Sequence, residues 1–301
     1  MKNRTKEKPS RPSKLTDTNT LFARLSVVPS LAGVMVFFII PFMIIIFYSF
    51  VNNPINKDFV FLKNYATLLK NNAFLTAAKN TLLLSVSAVP LAVVLSLGLA
   101  CMLDSKIPCK SFFRTSFLCP MMVPVASVVL IWQVLFHYNG TVNAVLVDMI
   151  AAQPVDWMKS SKCMIVVVLM FLWKNLGYNM ILFLAALNNI PKDLDEVAEL
   201  EGAGRIYRMI HIKLRYLSPT VLFVTILSLI NSFKLFREVY LLTGDYPFED
   251  LYLLQHFMNN TFRSLDYQKL SAAAILMSIV MIIIIGTLFI LENKFGEDVE
   301  E

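Results

Sequence analysis

The stretch DEVAELEGAGRIYRMIHIKLRYLSP, residues 195–219, sets eight charged side chains into 25 positions. Asp195, Glu196, Glu199 and Glu201 come first; after a Gly-Ala-Gly break at 202–204, the charge turns basic with Arg205, Arg208, Lys213 and Arg215. Long apolar runs flank it on both sides. A polar hinge between such runs makes the surroundings the first question: what solvent do they require?

Of the 301 residues, 57% are hydrophobic and only 16% charged, and the mean hydropathy is +0.64. Soluble domains carry about 25% charged and about 45–50% apolar residues. The chain therefore reads as an all-α membrane protein. Six transmembrane helices are expected over 25–51, 80–103, 115–136, 163–190, 220–242 and 270–291. Each is long enough to cross roughly 30 Å of hydrocarbon at about 1.5 Å per helical residue. The first, second and last hold no charged residue. Pro29, Pro41, Pro90, Pro120 and Pro124 fall inside spans, which a bundle tolerates because neighbours satisfy the freed backbone groups. The period-two alternation of a membrane β-barrel is absent.

Lys and Arg set the orientation. With the first residues inside, sixteen fall on the cytoplasmic side: seven in the first 24 residues, then Lys106, Lys110, Arg114, Lys192, Arg205, Arg208, Lys213, Arg215 and Lys294. Eight fall outside: Lys57, Lys63, Lys70, Lys79, Lys159, Lys162, Arg263 and Lys269. Both termini, and the opening stretch, are thus expected in the cytoplasm. Residues 1–24 form a basic head and 292–301 an acidic tail around a six-span domain at 25–291. The 27-residue apolar run after the head exceeds a signal-peptide core and is expected to stay as the first span. The head suits anionic lipid headgroups better than nucleic acid.

Cys101, Cys109, Cys119 and Cys163 form no CxxC, and His137, His211 and His256 stand apart, so no metal site or disulfide framework is expected. Phosphate-loop and nucleophile-elbow motifs are missing. No catalytic residue and no cofactor are expected on this chain; energy must come from elsewhere.

Within 191–219, Pro191 ends the fourth span, and Asp193 and Asp195 suit the first turn of a short helix over 193–201. Leu194, Val197, Ala198 and Leu200 are expected on one side of it, the acids on the other. Gly202 permits a sharp turn. Beyond it, Ile206, Met209, Ile210, Ile212 and Leu214 offer an apolar stripe, and Pro219 opens the fifth span. Physics alone allows either an amphipathic loop at the headgroups or a docking element.

The arrangement Glu196, Ala198, Gly202-Ala203, Ile212-x-Leu214, Pro219 resembles the EAA loop of permease subunits in binding-protein-dependent ABC importers. Val197 stands where that motif has a second small residue, and Arg215 where a proline is usual. FVFLKNY (59–65) is similar to the family's F-x-G-L-x-N-Y segment, with Phe61 in the glycine's place. FFRTSFLCPMMVP (112–124) and VYLLTGDYP (239–247) resemble its third-span and last outer-loop segments, and point to the maltose and glycerol-phosphate type of the carbohydrate branch. The resemblance implies a coupling helix, with Glu196, Val197, Ala198, Gly202 and Ala203 docking on a cytoplasmic ATPase dimer that carries the ATP and magnesium. It also implies a second permease subunit, an extracytoplasmic solute-binding protein and a sugar substrate.

Lys174, Lys234, Arg237 and Glu238 fall inside predicted spans, where ionisable groups are costly and face a cavity or a partner. Lys174 lies 11 residues from the outer end of its span, roughly 17 Å, and Lys234 eight residues short of its own, so both reach the middle or outer half. Around them, WKNLGYN (173–179) and NSFKLFRE (231–238) supply aromatic faces and amides, the mixture of a small-molecule pocket. The resemblance implies that Asn175 and Tyr178 on the fourth span, and Asn231, Ser232 and Leu235 on the fifth, occupy sugar-contacting positions. Hydrogen bonding between helices is the alternative use of these groups. Three cations beside one acid suit an anionic sugar, although an acid on a partner subunit would balance them equally well. Residues 139–158 fit an outer amphipathic helix for a solute receptor, or a loop cap. The rival functions are an ABC permease for a non-sugar solute, an ion-coupled secondary transporter, which would need more intramembrane acids than Glu238, and a membrane scaffold.

Overall fold

The structure is a computed structural model that describes residues 26–105, 107–151 and 153–296. The expected basic head at 1–24, Lys106, and the acidic tail beyond 296 lie outside the described residues. The helices are α1 (Ser26–Ser49), α2 (Lys63–Leu69), α3 (Asn72–Asp104), α4 (Lys110–Met122), α5 (Val125–Leu135), α6 (Thr141–Ile150) and α7 (Cys163–Asn188). They continue as α8 (Lys192–Leu200), α9 (Arg205–Arg208), α10 (Ser218–Lys234), α11 (Phe236–Thr243), α12 (Leu254–Arg263) and α13 (Tyr267–Gly296). Among the described residues the only β pairing is one bridge, Val51 to Phe59.

Five helical runs are long and apolar enough to cross a membrane: α1, α3, α7, α10 with α11, and α13. The third expected span is not a straight crossing over 115–136. It consists of α4 and α5, bent by 99° at a short break, and the count reaches six only if this pair is one span. The cause is local. Pro124 crowds the residue before it, and Val123 is driven to the extended region at φ −76°, ψ 128°. Two subtler departures accompany it. In α1 the turn Met35–Ile39 widens to a π-helix, and the Ile40 N–H bonds back to the Met35 carbonyl. Pro41 just beyond has no N–H to donate and crowds the carbonyl four residues earlier. The fifth span breaks at Leu235, whose carbonyl accepts from both Glu238 and Val239, each at 3.1 Å.

α3 and α7 form the centre, with Leu84, Ala88, Ala92, Val166, Val167 and Met170 buried together. Small residues let the backbones approach: Ala77, Ala88, Ala92, Ser96 and Ala100 are all buried along α3. Gly177 of α7 is the tightest point. A Cβ there would lie 1.8 Å from the Phe117 carbonyl oxygen of α4. α1 and α13 expose their apolar side chains outward, as lipid-facing helices do.

The FVFLKNY segment moors the first span. Asn64 Nδ2 donates to the Ser49 and Val51 carbonyls at 2.9 Å each, where α1 ends, and Tyr65 donates to Ser49 Oγ at 2.8 Å. Phe61, in the glycine's place, sits at φ +49°, the left-handed region that glycine enters without cost. α12 and the turn before it are tied to the first half of α3: Asn80 Nδ2 donates to the Glu249 carbonyl at 2.7 Å, and the Leu254 N–H donates to Thr81 Oγ1 at 2.8 Å. His256 of α12 is buried among Phe236, Tyr240 and Tyr252, and its Nδ1 accepts from the Leu253 N–H. Burial lowers its pKa to about 4.

Two outcomes are expected. Gly177→Ala should force α4 and α7 apart and cost about 1–3 kcal/mol, the range for overpacking, read as a lower unfolding temperature in detergent. His256 is neutral in the fold, whereas its unfolded counterpart binds a proton below about pH 6.5. Its contribution is complete above that pH and is lost as pH falls towards about 4. The loss reaches about 3 kcal/mol at most, and a pH series of melting curves should flatten over that window in His256→Gln.

Candidate functional site

Two spans present a polar face to each other near the middle of the bundle. On α7, Lys174, Asn175 and Tyr178 share a face by their i, i+1, i+4 spacing; on α10 and α11, Leu227, Asn231, Lys234, Leu235 and Glu238 do the same. Together they line a cavity of about 730 Å³. Met121 and Val125, one on each side of the bend between α4 and α5, form its lip, and Phe236, Arg237 and Gln255 complete the lining. Six of the seven residues expected along a substrate path therefore meet in one space: Lys174, Asn175, Tyr178, Asn231, Lys234 and Leu235. Leu235 is buried and closes the wall.

Ser232 is turned away. It is 2% exposed, its hydroxyl donates to the Leu229 carbonyl at 2.7 Å, and it meets Ser85 Oγ of α3 at 3.0 Å. One residue beyond Asn231 is a rotation of about 100° around the helix, so it joins the packing between α3 and α10. Trp173 likewise lies outside the cavity lining; its ring meets Trp132 edge-on at 6.3 Å.

The amides are shared between the helices. Asn231 Nδ2 donates to Asn175 Oδ1 at 2.9 Å, and one turn along, Asn179 Nδ2 donates to Ser228 Oγ at 2.9 Å. Both expected uses of these groups thus coexist at Asn175 and Asn231: they line the cavity and they join two helices. Electrostatically, Lys174 Nζ donates to Glu238 Oε1, with the two side chains 20% and 6% exposed. Lys234 and Arg237 are exposed and have no ion pair among the described residues. Tyr178 lines the cavity beside them. Gln255 carried no signal in the sequence, because it reaches the cavity from α12, a helix outside the fourth and fifth spans.

In the charged stretch, α8 ends in a turn whose hydrogen bonds account for its residue types. The Gly202 N–H donates to the Glu199 carbonyl at 3.0 Å, and the Ala203 N–H reaches back to Ala198 at 2.9 Å. This is a Schellman closure, which needs a left-handed residue, and Gly202 has φ +83°. The helix face differs from the expected one. Leu194, Asp195 and Ala198 point inward, whereas Val197 and Leu200 are 54% and 89% exposed beside Glu196. Asp195 is pulled in by cations. Arg208 Nη1 lies 3.5 Å from its carboxylate and 2.7 Å from that of Glu199. Lys213 Nζ lies 3.3 Å from Asp195 and 4.0 Å from Asp104, the last residue of α3. The stripe after Gly202 is likewise divided: Met209 and Ile212 are half-buried, and Ile206, Ile210 and Leu214 are exposed.

Residues 88–296 match the family described as the binding-protein-dependent transport system inner membrane component. The chain is 32% identical over 219 residues to the arabinooligosaccharides transport system permease protein AraP of Bacillus subtilis (strain 168), covering 71% of this chain and 69% of that protein. It is 30% identical over 281 residues to the sn-glycerol-3-phosphate transport system permease protein UgpA of Yersinia enterocolitica, covering 91% and 93%. The fold is that of a chain in the crystal structure of a bacterial alginate ABC transporter in complex with an alginate pentasaccharide-bound periplasmic protein. The TM-score is 0.81 at 19% identity, over 93% of this chain and 96% of that one.

The Lys174–Glu238 pair gives a direct test. Removing one partner of a buried pair costs about 3–5 kcal/mol, and access from the cavity to Lys174 reduces this to about 2. Lys174→Ala is expected to destabilise the purified protein by that amount, and adding Glu238→Gln to restore most of it in the same melting assay.

Proposed function

Because the chain belongs to the family of binding-protein-dependent transport system inner membrane components, we propose that it is the permease subunit of an ATP-driven importer for a carbohydrate. The observation that carries this reading is the extent of the family match, which includes both the cavity and α8. The relatives' names, for arabinooligosaccharides and sn-glycerol-3-phosphate, favour an oligosaccharide or a sugar derivative as cargo. The chain is a multi-pass inner membrane protein, and both termini face the cytoplasm.

In this reading the cavity is half of a path completed by a second permease subunit. A solute-binding protein delivers the sugar on the outer side, and Asn175, Tyr178 and Asn231 offer it donors and acceptors. ATP hydrolysis belongs to a separate ATPase dimer, which holds the nucleotide and its magnesium. The dimer grips α8 through Glu196, Val197 and the Ala198–Ala203 turn, with Leu200 as an added apolar contact. Closing of the ATPases moves α8, and the Asp195–Lys213–Asp104 chain of ion pairs carries that motion to α3. α3 packs against α10 through Ser85 and Ser232, directly behind Asn231. A change in ATPase state therefore shifts the population between inward- and outward-open cavities. No covalent chemistry takes place on this chain.

Affinity capture of the tagged permease from membranes of its native host tests the assignment. Wild type is expected to retain an ATPase that hydrolyses ATP. Glu196→Lys and Leu200→Asp should each reduce its recovery at least tenfold. Lys213→Gln should keep the ATPase bound but lower ATP-driven sugar uptake several-fold. Uptake that persists after ATP depletion with an ion gradient intact would overturn the assignment in favour of a secondary carrier.

A further inference from the structure

The charge balance of the cavity goes beyond its assignment to a sugar. Four ionisable side chains of full charge line it: Lys174, Lys234, Arg237 and Glu238. Glu238 is almost completely buried and is taken up by Lys174. The remaining two are both cations. Lys234 and Arg237 are exposed in the lining, and neither has an ion pair or hydrogen bond to another described residue. They stand three positions apart, on either side of the break at Leu235. Like charges at that spacing repel, and a cation in the membrane interior is costly unless a partner or water meets it. Arg237 also falls in the first turn of α11, where the helix dipole disfavours a positive charge. Local stability thus gives no reason for this placement, whereas an anion in the cavity would remove each of these costs.

We propose that the cargo is an acidic sugar, one bearing a carboxylate or a phosphate, and that Lys234 and Arg237 receive its anionic group. The planar guanidinium of Arg237 matches two oxygens of such a group, and the Lys234 ammonium supplies a point charge beside it. Asn175, Tyr178, Asn231 and Gln255 serve the neutral hydroxyls. A volume of about 730 Å³ lies within the range of small-molecule sites. Lys174, one of the three cations that the sequence sets beside a single acid, is committed to Glu238. The inference rests on the carbohydrate reading above, and it assigns selectivity to two residues that form no pair within the chain.

The test uses the complete importer, with its receptor, second permease and ATPase, reconstituted in vesicles. Uptake is measured for a labelled oligosaccharide panel in which every uronate or phosphorylated member has a neutral counterpart of the same linkage. Wild type is expected to take up an acidic member, and Lys234→Gln/Arg237→Gln to lose at least tenfold of that rate with ATPase binding intact. Lys174→Gln frees Glu238 to capture one of the two cations; it should also lower acidic uptake, and adding Glu238→Gln should recover it. Uptake confined to neutral members, or acidic uptake that survives the double substitution, overturns this inference and leaves the carbohydrate assignment standing. A receptor-stimulated complex that carries no sugar of either kind removes both.

Discussion

Hydrocarbon offers no partner for a bare N–H or C=O, so every place where a helix of this chain breaks must be compensated nearby. That constraint organises the molecule. The π-turn before Pro41 keeps α1 continuous by shifting one bond to the Met35 carbonyl. The bend at Val123–Pro124 and the break at Leu235 both border the cavity. Irregular backbone at membrane depth is tolerated where it lines a space inside protein. Here the two interrupted spans surround the space that the uninterrupted α7 completes.

The spans were legible because an apolar run of sufficient length has few other uses. Their interruptions were less so. Pro120 and Pro124 were visible as bundle-tolerated prolines, but a 99° bend depends on what α4 packs against, and the Gly177–Phe117 contact lies 60 residues away in the chain. The charged stretch announced a short helix and a glycine turn at nearly the right positions, because both follow from local hydrogen-bond rules. Which face of that helix turns outward did not follow. Composition assigned Asp195 to the acidic side and Leu200 to the apolar one, and the cations of Arg208 and Lys213 reversed them. The family motif was informative at Phe61, where the position normally held by glycine retains a glycine's backbone angle.

At the cavity, intramembrane charge was a sound guide to location and a poor guide to role. Lys174, Lys234, Arg237 and Glu238 do converge, yet their pairing depends on side-chain reach between α7 and α11. Ser232 illustrates the opposite limit: an alignment gives a residue's place in the chain and leaves open a rotation of one position about the helix axis. Polar seams such as Asn175–Asn231 and Asn179–Ser228 give the fourth and fifth spans a defined register, which apolar packing against lipid-like neighbours specifies less sharply.

The turn after α8 is closed by the chain's own carbonyls at Ala198 and Glu199. Its contour exists before anything touches it, so the docking proposed for α8 involves no folding step and forfeits little conformational freedom. Encounter is then limited by diffusion and by the angle of approach. Such a plug can leave and rejoin its socket without being remade each time.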